Sequence, residues 1–263
     1  MDASAARQGG EAYEIFMGRW SRPVADRFLD WLHAPAGADW IDVGSGTGVL
    51  TASILERCAP ASVVAVDSSE TFTDYARHRF DDRRLCIDTV DATSLPVADG
   101  SRDVAVAGLF LNFLPSMEEG LREMRRVLRP GGILGFYVWD YPDGGMGMLD
   151  VFWSAAAQLD PAAAALSERA RFPDCSHAGL TRLCQAVGIE PAISTIDTIS
   201  EHEDFEEYWR PFTLAQSTAR RYLDGLDDEA RARLRGALAQ RLDHGGPIRL
   251  PARAWCVKAQ IPD

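Results

Sequence analysis

The sequence predicts an α/β fold, a doubly wound and mostly parallel sheet of seven strands that carries a helical cap. Two observations predict it. Short apolar segments alternate with segments whose apolar residues recur at helical spacing through the first half of the chain. One apolar segment also leads into three closely spaced glycines and then directly into a helical pattern. Strands separated by helices form parallel sheets, because a crossover connection needs the length of a helix.

The elements of the first half follow from this spacing. Residues 11–32 are predicted to be helical, although Pro23 is expected to break or restart the helix. An Arg-Pro-Gly-Gly segment at 129–132 is expected to end the last helix of this half. Strands are predicted at 40–43, 62–66, 85–89, 103–107 and 133–139, with helices at 49–57, 72–80 and 117–128.

The second half begins with a Pro/Gly-rich loop at 140–147. Strands are predicted at 189–199 and 249–258, and we expect them to form the last pair of the sheet, with residues 201–246 inserted between them as a helical cap. Asp160 is the predicted N-cap of the second helix in this half. Helices are predicted at 148–158, 161–169, 181–186, 204–210, 214–223 and 227–242.

The glycine-rich segment at 40–50 is the most informative part of the chain. A strand, a glycine turn and a helix N-terminus together build a nucleotide-type cofactor site, because glycine lets the backbone approach a ligand closely. The dinucleotide fingerprint needs a third small residue where this chain has Val49. Asp42, at the strand end, suits a ligand ammonium better than a pyrophosphate. We expect the ligand to contact Gly44, Ser45, Gly46 and Gly48.

Two further acids lie where a nucleotide-type ligand needs them. Asp67 ends the second strand about 20 residues past the glycines, where such folds place an acid on ribose hydroxyls. We expect Asp67 and Ser68 at the ribose. The alternative for Asp67 is the N-cap of the next helix, which Ser68 or Ser69 could provide instead. Asp91 begins an Asp-Ala-Thr-Ser-Leu-Pro segment, and by itself it is more often a turn residue.

In this order the segments resemble the motifs of the class I S-adenosylmethionine (SAM) methyltransferases. The glycine turn with Asp42 is similar to their motif I, D-x-G-x-G-x-G. The segment from Asp91 is similar to that of the ubiquinone/menaquinone-type members, although Val97 and Arg102 replace the usual aromatic residues. The Leu-Arg-Pro-Gly-Gly segment at 128–132 also matches. The resemblance covers roughly residues 38–140.

The resemblance implies SAM as cofactor and S-adenosylhomocysteine as product. It implies that Asp91 meets the adenine amino group and the Ala92 amide a ring nitrogen, with Gly108 and Leu109 around the ribose and methionine part. Residues 13–21 resemble the N-terminal lid of some bacterial members. That lid places a Tyr and an Arg, here Tyr13 and Arg19, on the SAM carboxylate. The alternative for Tyr13 is an ordinary helix face.

We therefore divide the chain into a lid at 1–32, a SAM-binding core at 33–140, and a remainder at 141–263. The remainder completes the sheet and carries the substrate cap at about 141–187 and 201–246.

Methyl transfer from a sulfonium is an in-line displacement, which needs alignment and exclusion of water more than a catalytic group. No metal is expected. His177 is the best candidate for a general base, with a structural contact as its alternative, and Tyr13 is the second catalytic candidate. Relatives often carry His where this chain has Asn112, which weakens any mechanism transferred from them.

Aromatic residues are concentrated after the fifth strand, where the sites of α/β sheets open. Core packing of the cap is the alternative explanation. An aromatic roof suits a planar, apolar acceptor such as an indole, phenol or polyketide, methylated at carbon, oxygen or nitrogen. The residues expected at the acceptor are Phe16, Met17, Asn112, Trp139, Trp153, Phe172, Trp209 and Phe212.

Composition limits the partners. The net charge of −12 argues against a nucleic-acid substrate. Five cysteines without a pairing pattern indicate reduced thiols, and no apolar run reaches membrane-span length, so a cytoplasmic monomer or homodimer is expected. A nicotinamide oxidoreductase is the first alternative, but it would need a G-x-G-x-x-G turn and usually a Tyr/Lys or His/acid couple. Neither is found, and Lys258 is the only lysine. A SAM-binding protein without catalysis is the second.

Overall fold

The computed structural model describes residues 19–214 and 217–262. Two short 3₁₀ helices cover Leu111–Phe113 and Pro161–Leu166. The other elements are α1 (Arg19–Leu32), β1 (Asp39–Val43), α2 (Val49–Arg57), β2 (Ser62–Asp67), α3 (Glu70–Arg79), β3 (Leu85–Thr89), β4 (Arg102–Gly108), α4 (Met117–Val127), β5 (Leu128–Trp139), α5 (Gly147–Leu159), α6 (Glu168–Arg171), α7 (His177–Ala186), β6 (Ala192–His202), α8 (Phe205–Leu214), α9 (Thr218–Asp224), α10 (Asp228–Leu242) and β7 (Ile248–Gln260).

Seven strands form one sheet in the order β3-β2-β1-β4-β5-β7-β6. β1 pairs in parallel with β2 and β4, β2 with β3, and β4 with β5. β7 runs antiparallel to β5, as their hydrogen bonds show. Gly131 near the start of β5 donates to the Ile261 carbonyl, and Asp140, just past the end of β5, donates to the Arg253 carbonyl. The predicted doubly wound, mostly parallel sheet is confirmed, and β6 and β7 are its last pair as expected.

The prediction about proline was wrong, and the one about the glycine segment was confirmed. α1 continues through Pro23 without a break, because a proline near the start of the described helix removes at most one backbone hydrogen bond. α4 ends at Val127, directly before residues 129–132, as predicted. The segment itself belongs to β5, with Gly131 at a left-handed φ of 75°. Its backbone is held there because Gly131 donates to the Ile261 carbonyl and Ile261 donates to the Gly132 carbonyl.

The helix predicted at 161–169 is two shorter helices. Asp160 is the N-cap of the first, as expected, and its carboxylate accepts a hydrogen bond from the Ala162 N–H at 3.0 Å. Ser167 then interrupts the helix in an extended conformation and caps α6 by accepting from the Ala170 N–H at 3.3 Å. A serine that bonds to nearby backbone in this way ends one helix and starts the next.

The described residues form two compact units. The first unit contains the chain up to Val138, His177–Ile196 and the segment from Ala254, and the second contains Trp139–Ser176 and Asp197–Arg253. This division differs from the predicted lid, core and cap in that His177–Ile196 groups with the parallel strands. No helix in the described ranges is both long and apolar enough to cross a membrane.

Each unit has its own aromatic core. In the first unit, Phe28 of α1 packs on Tyr137 of β5 with ring centroids 4.9 Å apart. In the second, Phe152 and Phe212 stack at 4.5 Å, and the Tyr208 hydroxyl donates to the Met148 carbonyl at 3.0 Å. Burial of rings of this size supplies most of the driving force that holds helices together.

Candidate cofactor site

The turn between β1 and α2 contains three glycines with left-handed backbone, at φ values of 71°, 54° and 86° for Gly44, Gly46 and Gly48. The first and last are also required by close approach, because a Cβ on Gly44 would overlap the Phe110 ring and one on Gly48 would overlap the Phe80 ring. Gly46 differs. Among the described residues, nothing lies within 4 Å of the place its Cβ would occupy. Gly46 therefore faces the open space in which a ligand can approach the backbone.

Hydrogen bonds join this turn to the end of β2. The Gly44 and Ser45 N–H groups both donate to the Val66 carbonyl, at 2.8 and 2.9 Å. The Gly48 N–H donates to the Ser45 carbonyl at 2.8 Å and closes the turn. These bonds hold the turn against the carboxyl end of the neighbouring strand, which is the edge where parallel sheets place their ligands.

Asp67 is buried at the same edge and is braced by two backbone donors. Its Oδ2 accepts from the Gly46 N–H at 3.0 Å, and its Oδ1 accepts from the Ser69 N–H at 2.8 Å. Burial raises the pKa of Asp67, while these two hydrogen bonds oppose the shift. Each carboxylate oxygen keeps a second lone pair, so the two bonds leave acceptor capacity for ribose hydroxyls.

The helix-capping alternative is resolved in favour of Ser69. Its side chain accepts from the Phe72 N–H at 3.4 Å at the start of α3, whereas Ser68 is exposed. Asp67 is thus not needed as the cap of this helix.

Asp42 lies beneath the turn and has no accessible surface. Its Oδ2 accepts from the Thr51 hydroxyl at 2.6 Å, and its Oδ1 has no partner among the described residues. Burial, with a smaller contribution from the charge of Asp67, raises the pKa of Asp42 to about 7, while the hydrogen bonds from Thr51 oppose the shift. The expected contact of Asp42 with a ligand ammonium stays a prediction.

Asp91 is exposed and stabilises a local turn, which was the alternative to a role in cofactor binding. Its Oδ1 accepts from both the N–H and the hydroxyl of Thr93, at 2.8 and 2.7 Å, and these bonds lower the pKa of Asp91. The contact with Thr93 uses Oδ1, so the role of Oδ2 at an adenine amino group stays a prediction. Ala92 is buried directly beside it.

The carboxyl end of β4 is strained. Leu109 has a left-handed φ of 55°, which is costly for a residue with a branched side chain, and its N–H donates to the Tyr137 carbonyl at 2.8 Å. Gly108 is required because a Cβ there would lie 2.5 Å from the Tyr137 hydroxyl. Strained backbone of this kind clusters at ligand sites, which supports the roles expected of Gly108 and Leu109.

Asn112 follows in the 3₁₀ helix of residues 111–113. It is 7% exposed, and its Nδ2 has no partner among the residues that the structure describes. A buried amide donor without a partner costs free energy, so such a group often awaits a ligand oxygen. Its role at the acceptor stays a prediction.

His177 is placed unfavourably for catalysis. It is exposed at the start of α7, and its ring meets Trp255 of β7 edge-on at 5.8 Å between centroids. β7 is separated from β1 and its glycine turn by β4 and β5. The structural contact that was its alternative is what the structure shows. Arg19 is the first residue of α1, and Tyr13, Phe16 and Met17 lie outside the described residues, so their roles stay predictions.

The aromatic residues predicted as pocket walls belong mostly to the core of the second unit. Trp139, Trp153, Trp209 and Phe212 are all buried, and Phe212 has no accessible surface. Phe212 stacks on Phe152 inside this core, and its role as a wall stays a prediction. Phe172 is half-buried, with its ring 5.3 Å from Tyr141.

Trp153 has a polar partner of its own. Its indole N–H donates to the Glu168 carboxylate at 2.6 Å, and burial raises the pKa of Glu168. The ring is thereby fixed within the second unit.

Sequence reasoning missed the two rings that shape the turn. Phe80 and Phe110 occupy the positions that the missing Cβ atoms of Gly48 and Gly44 leave open. Neither ring lies near its glycine in sequence, so no local pattern signals the contact.

Comparison with known proteins agrees with this geometry. Residues 41–136 match the family model of the methyltransferase domain. The ubiquinone/menaquinone biosynthesis C-methyltransferase UbiE of Dinoroseobacter shibae is 34% identical over 125 residues, which are 46% of this chain and 50% of that protein. The chain thus spans about half the length of the curated relatives it matches.

Solved structures extend the similarity to the fold of nearly the whole chain. A protein of Bacillus halodurans superposes with a TM-score of 0.61 at 15% identity, covering 91% of this chain and 99% of that one. The phosphoethanolamine N-methyltransferase 2 of Haemonchus contortus, solved with S-adenosylhomocysteine, gives 0.57 at 15% identity over 97% of this chain and 57% of that one. The family-model match and the curated relatives confirm the resemblance to the class I methyltransferases that the motifs indicated, and the solved structures share the fold.

Proposed function

We propose that this chain, which carries a class I methyltransferase domain, is a SAM-dependent methyltransferase of a small molecule. The observation that carries the proposal is the pairing of Gly46 with Asp67. The described residues leave space beside Gly46, and its N–H is bonded to a carboxylate that keeps free acceptor capacity. A backbone cradle beside a ribose-binding acid is what an adenosyl cofactor requires.

The residues of the first unit fit this cofactor. Asp67 would accept from the ribose hydroxyls, and the turn around Gly46 would receive the methionine part. Asp42, in its ionised form, would favour the cationic end of the ligand. When bound, SAM supplies an activated methyl group, so the task of the protein is to align donor and acceptor and to exclude water.

The acceptor that we propose is small and partly aromatic. The net charge of −12 disfavours polyanions, and the half-buried Phe172 beside Tyr141 offers an aromatic surface. His177, the predicted base, is exposed against Trp255, which favours acceptors that are already nucleophilic, such as a phenolate or an electron-rich carbon.

Calorimetric titration with S-adenosylhomocysteine, with NAD and ATP as comparison ligands, tests the cofactor. We expect binding of the first alone. Asp67→Ala should weaken it by about 1–3 kcal/mol, the scale of a lost hydrogen bond from a charged group. Asp88→Ala, a carboxylate on the neighbouring strand β3, is the matched control and should leave affinity unchanged. Tight NAD binding would instead support the oxidoreductase alternative.

Catalysis needs a separate test, because a protein that only binds SAM would pass the titration. Incubation of SAM labelled in its methyl group with a library of phenols, indoles and polyketides should yield a labelled product. Binding of SAM without transfer to any acceptor class would favour the non-catalytic alternative.

A further inference from the structure

The carboxyl end of α3 lies against the glycine turn, although the two are distant in sequence. Phe80 is the C-cap residue of α3, and its N–H donates to the Ala76 carbonyl at 3.0 Å. Its ring fills the space beside Gly48, where the Cζ atom would be 2.9 Å from an added Cβ. Gly48 is the N-cap residue of α2 and provides no side-chain hydrogen bond there. The Phe80 ring packs against this end of the turn.

Arg79 holds the preceding peptide. Its Nη1 donates to the carbonyl of Thr47 at 3.1 Å, and its guanidinium carbon lies 5.3 Å from the centroid of the Phe80 ring. Thr47 is itself buried. One side chain therefore fixes a carbonyl of the turn and also covers the ring that packs on the next residue.

The geometry of the peptide bond links this contact to the ligand side. The Thr47 carbonyl and the Gly48 N–H belong to one planar peptide unit, so holding the carbonyl also sets the direction of the N–H. That N–H donates to the Ser45 carbonyl at 2.8 Å and closes the turn around Gly46. The hydrogen bond from Arg79 thus restrains the glycine turn, whose central residue is Gly46.

We propose that Arg79 and Phe80 are positioning residues that hold the glycine turn in its cofactor-accepting conformation. This inference rests on the proposed function and deepens it. It assigns the rigidity of the glycine turn to the carboxyl end of α3, which packs against the turn. Preorganised backbone gives affinity because less ordering is required when the ligand binds.

The affinity for S-adenosylhomocysteine tests Arg79. We expect Arg79→Ala to raise the dissociation constant about five- to twentyfold, the effect of losing a charged hydrogen bond that orients the site. Arg79→Lys should recover part of the loss. Arg77→Ala is the matched control, because Arg77 lies in the same helix but bonds to Asp74 and to the Ile87 carbonyl, not to the turn. We expect less than about a twofold change for it.

Two further readouts separate positioning from general stability. Titrations well below the melting temperature remove any contribution from unfolding, and amide exchange at residues 44–48 of the ligand-free protein should be faster in Arg79→Ala than in Arg77→Ala. A mere loss of stability would lower the melting temperature and leave affinity and local exchange unchanged.

A double-mutant cycle tests Phe80. Gly48→Ala should lower the melting temperature less in a Phe80→Ala background than in the wild type, because the overlap with the ring is gone while the backbone strain remains. Equal effects in both backgrounds would overturn the role of the ring. Wild-type affinity in Arg79→Ala would overturn the inference alone, whereas a wild-type protein that does not bind S-adenosylhomocysteine would overturn the proposed function as well.

Discussion

The backbone N–H of Gly46 donates to Oδ2 of Asp67 at 3.0 Å, and this bond joins two motifs that are separate in the sequence. Motif I and the acid after β2 are each expected to contact the cofactor, but the structure shows that they also contact each other. The turn orients the carboxylate, and the carboxylate fixes an N–H of the turn. A substitution in either motif is therefore expected to affect the geometry of both.

Two glycines of the turn are predicted to differ in purpose, with Gly46 needed for ligand binding and Gly44 for folding stability. Gly46→Ala should cost about 1–2 kcal/mol of folding stability from left-handed backbone strain, because its Cβ meets open space. It should nevertheless strongly weaken binding of S-adenosylhomocysteine, since that space is the cradle. Gly44→Ala should lower stability more, because its Cβ would overlap Phe110.

Thermal unfolding and calorimetric titration of the two variants check this. Undiminished ligand affinity in Gly46→Ala would show that the cradle is elsewhere. The same stability loss in both variants would show that Phe110 moves aside without cost.

The buried Asp42 predicts a pH dependence of stability. Its folded pKa of about 7 lies above the ordinary value of 3.8, so between these pH values the folded state holds a proton that the unfolded state has lost. The contribution of Asp42 to the free energy of unfolding is therefore complete below pH 4. It falls as the pH rises towards 7, by about 1.4 kcal/mol per pH unit. Above the folded pKa the loss is complete and the slope ends.

Urea unfolding of wild type and Asp42→Asn at pH 5, 6, 7 and 8 measures this slope. Asparagine keeps an acceptor for the Thr51 hydroxyl but does not titrate, so the difference in unfolding free energy should grow in favour of the variant up to pH 7. Parallel curves would mean that Asp42 is ionised in the folded protein throughout.

The parallel sheet could be predicted from sequence because its strands are short apolar runs separated by helices of crossover length. Local chemistry also allowed the N-cap at Asp160 to be predicted. The Pro and Gly signals at 129–132 also located the end of the helix before them, at Val127. The inclusion of these residues in β5 was not predictable, because it depends on pairing with Ile261, a partner distant in sequence.

The candidate site divides in the same way. Motif spacing located the glycine turn and the acid at Asp67, since those residues are defined by backbone geometry and order along the chain. The burial of Asp42 and the ring contacts of Gly44 and Gly48 depend on packing between distant segments. Aromatic concentration suggested a pocket wall at Phe212, but rings of that size bury each other first, and Phe212 stacks on Phe152.

The last prediction concerns the hydrogen bond between Trp153 and Glu168 in the second unit. Glu168→Ala removes the acceptor of a buried indole N–H, which should cost about 1–3 kcal/mol of stability. Glu168→Gln keeps a carbonyl acceptor of similar length, so it should cost less, and removal of the raised carboxyl pKa should also flatten the pH dependence of unfolding. Affinity for S-adenosylhomocysteine should be unchanged in both variants, because this pair lies in the second unit and the cofactor motifs in the first. Chemical denaturation and calorimetry on the same samples check both expectations. Equal destabilisation by Ala and Gln would show that a neutral acceptor does not stabilise the indole N–H. A loss of ligand affinity would show that Trp153 is coupled to the cofactor site.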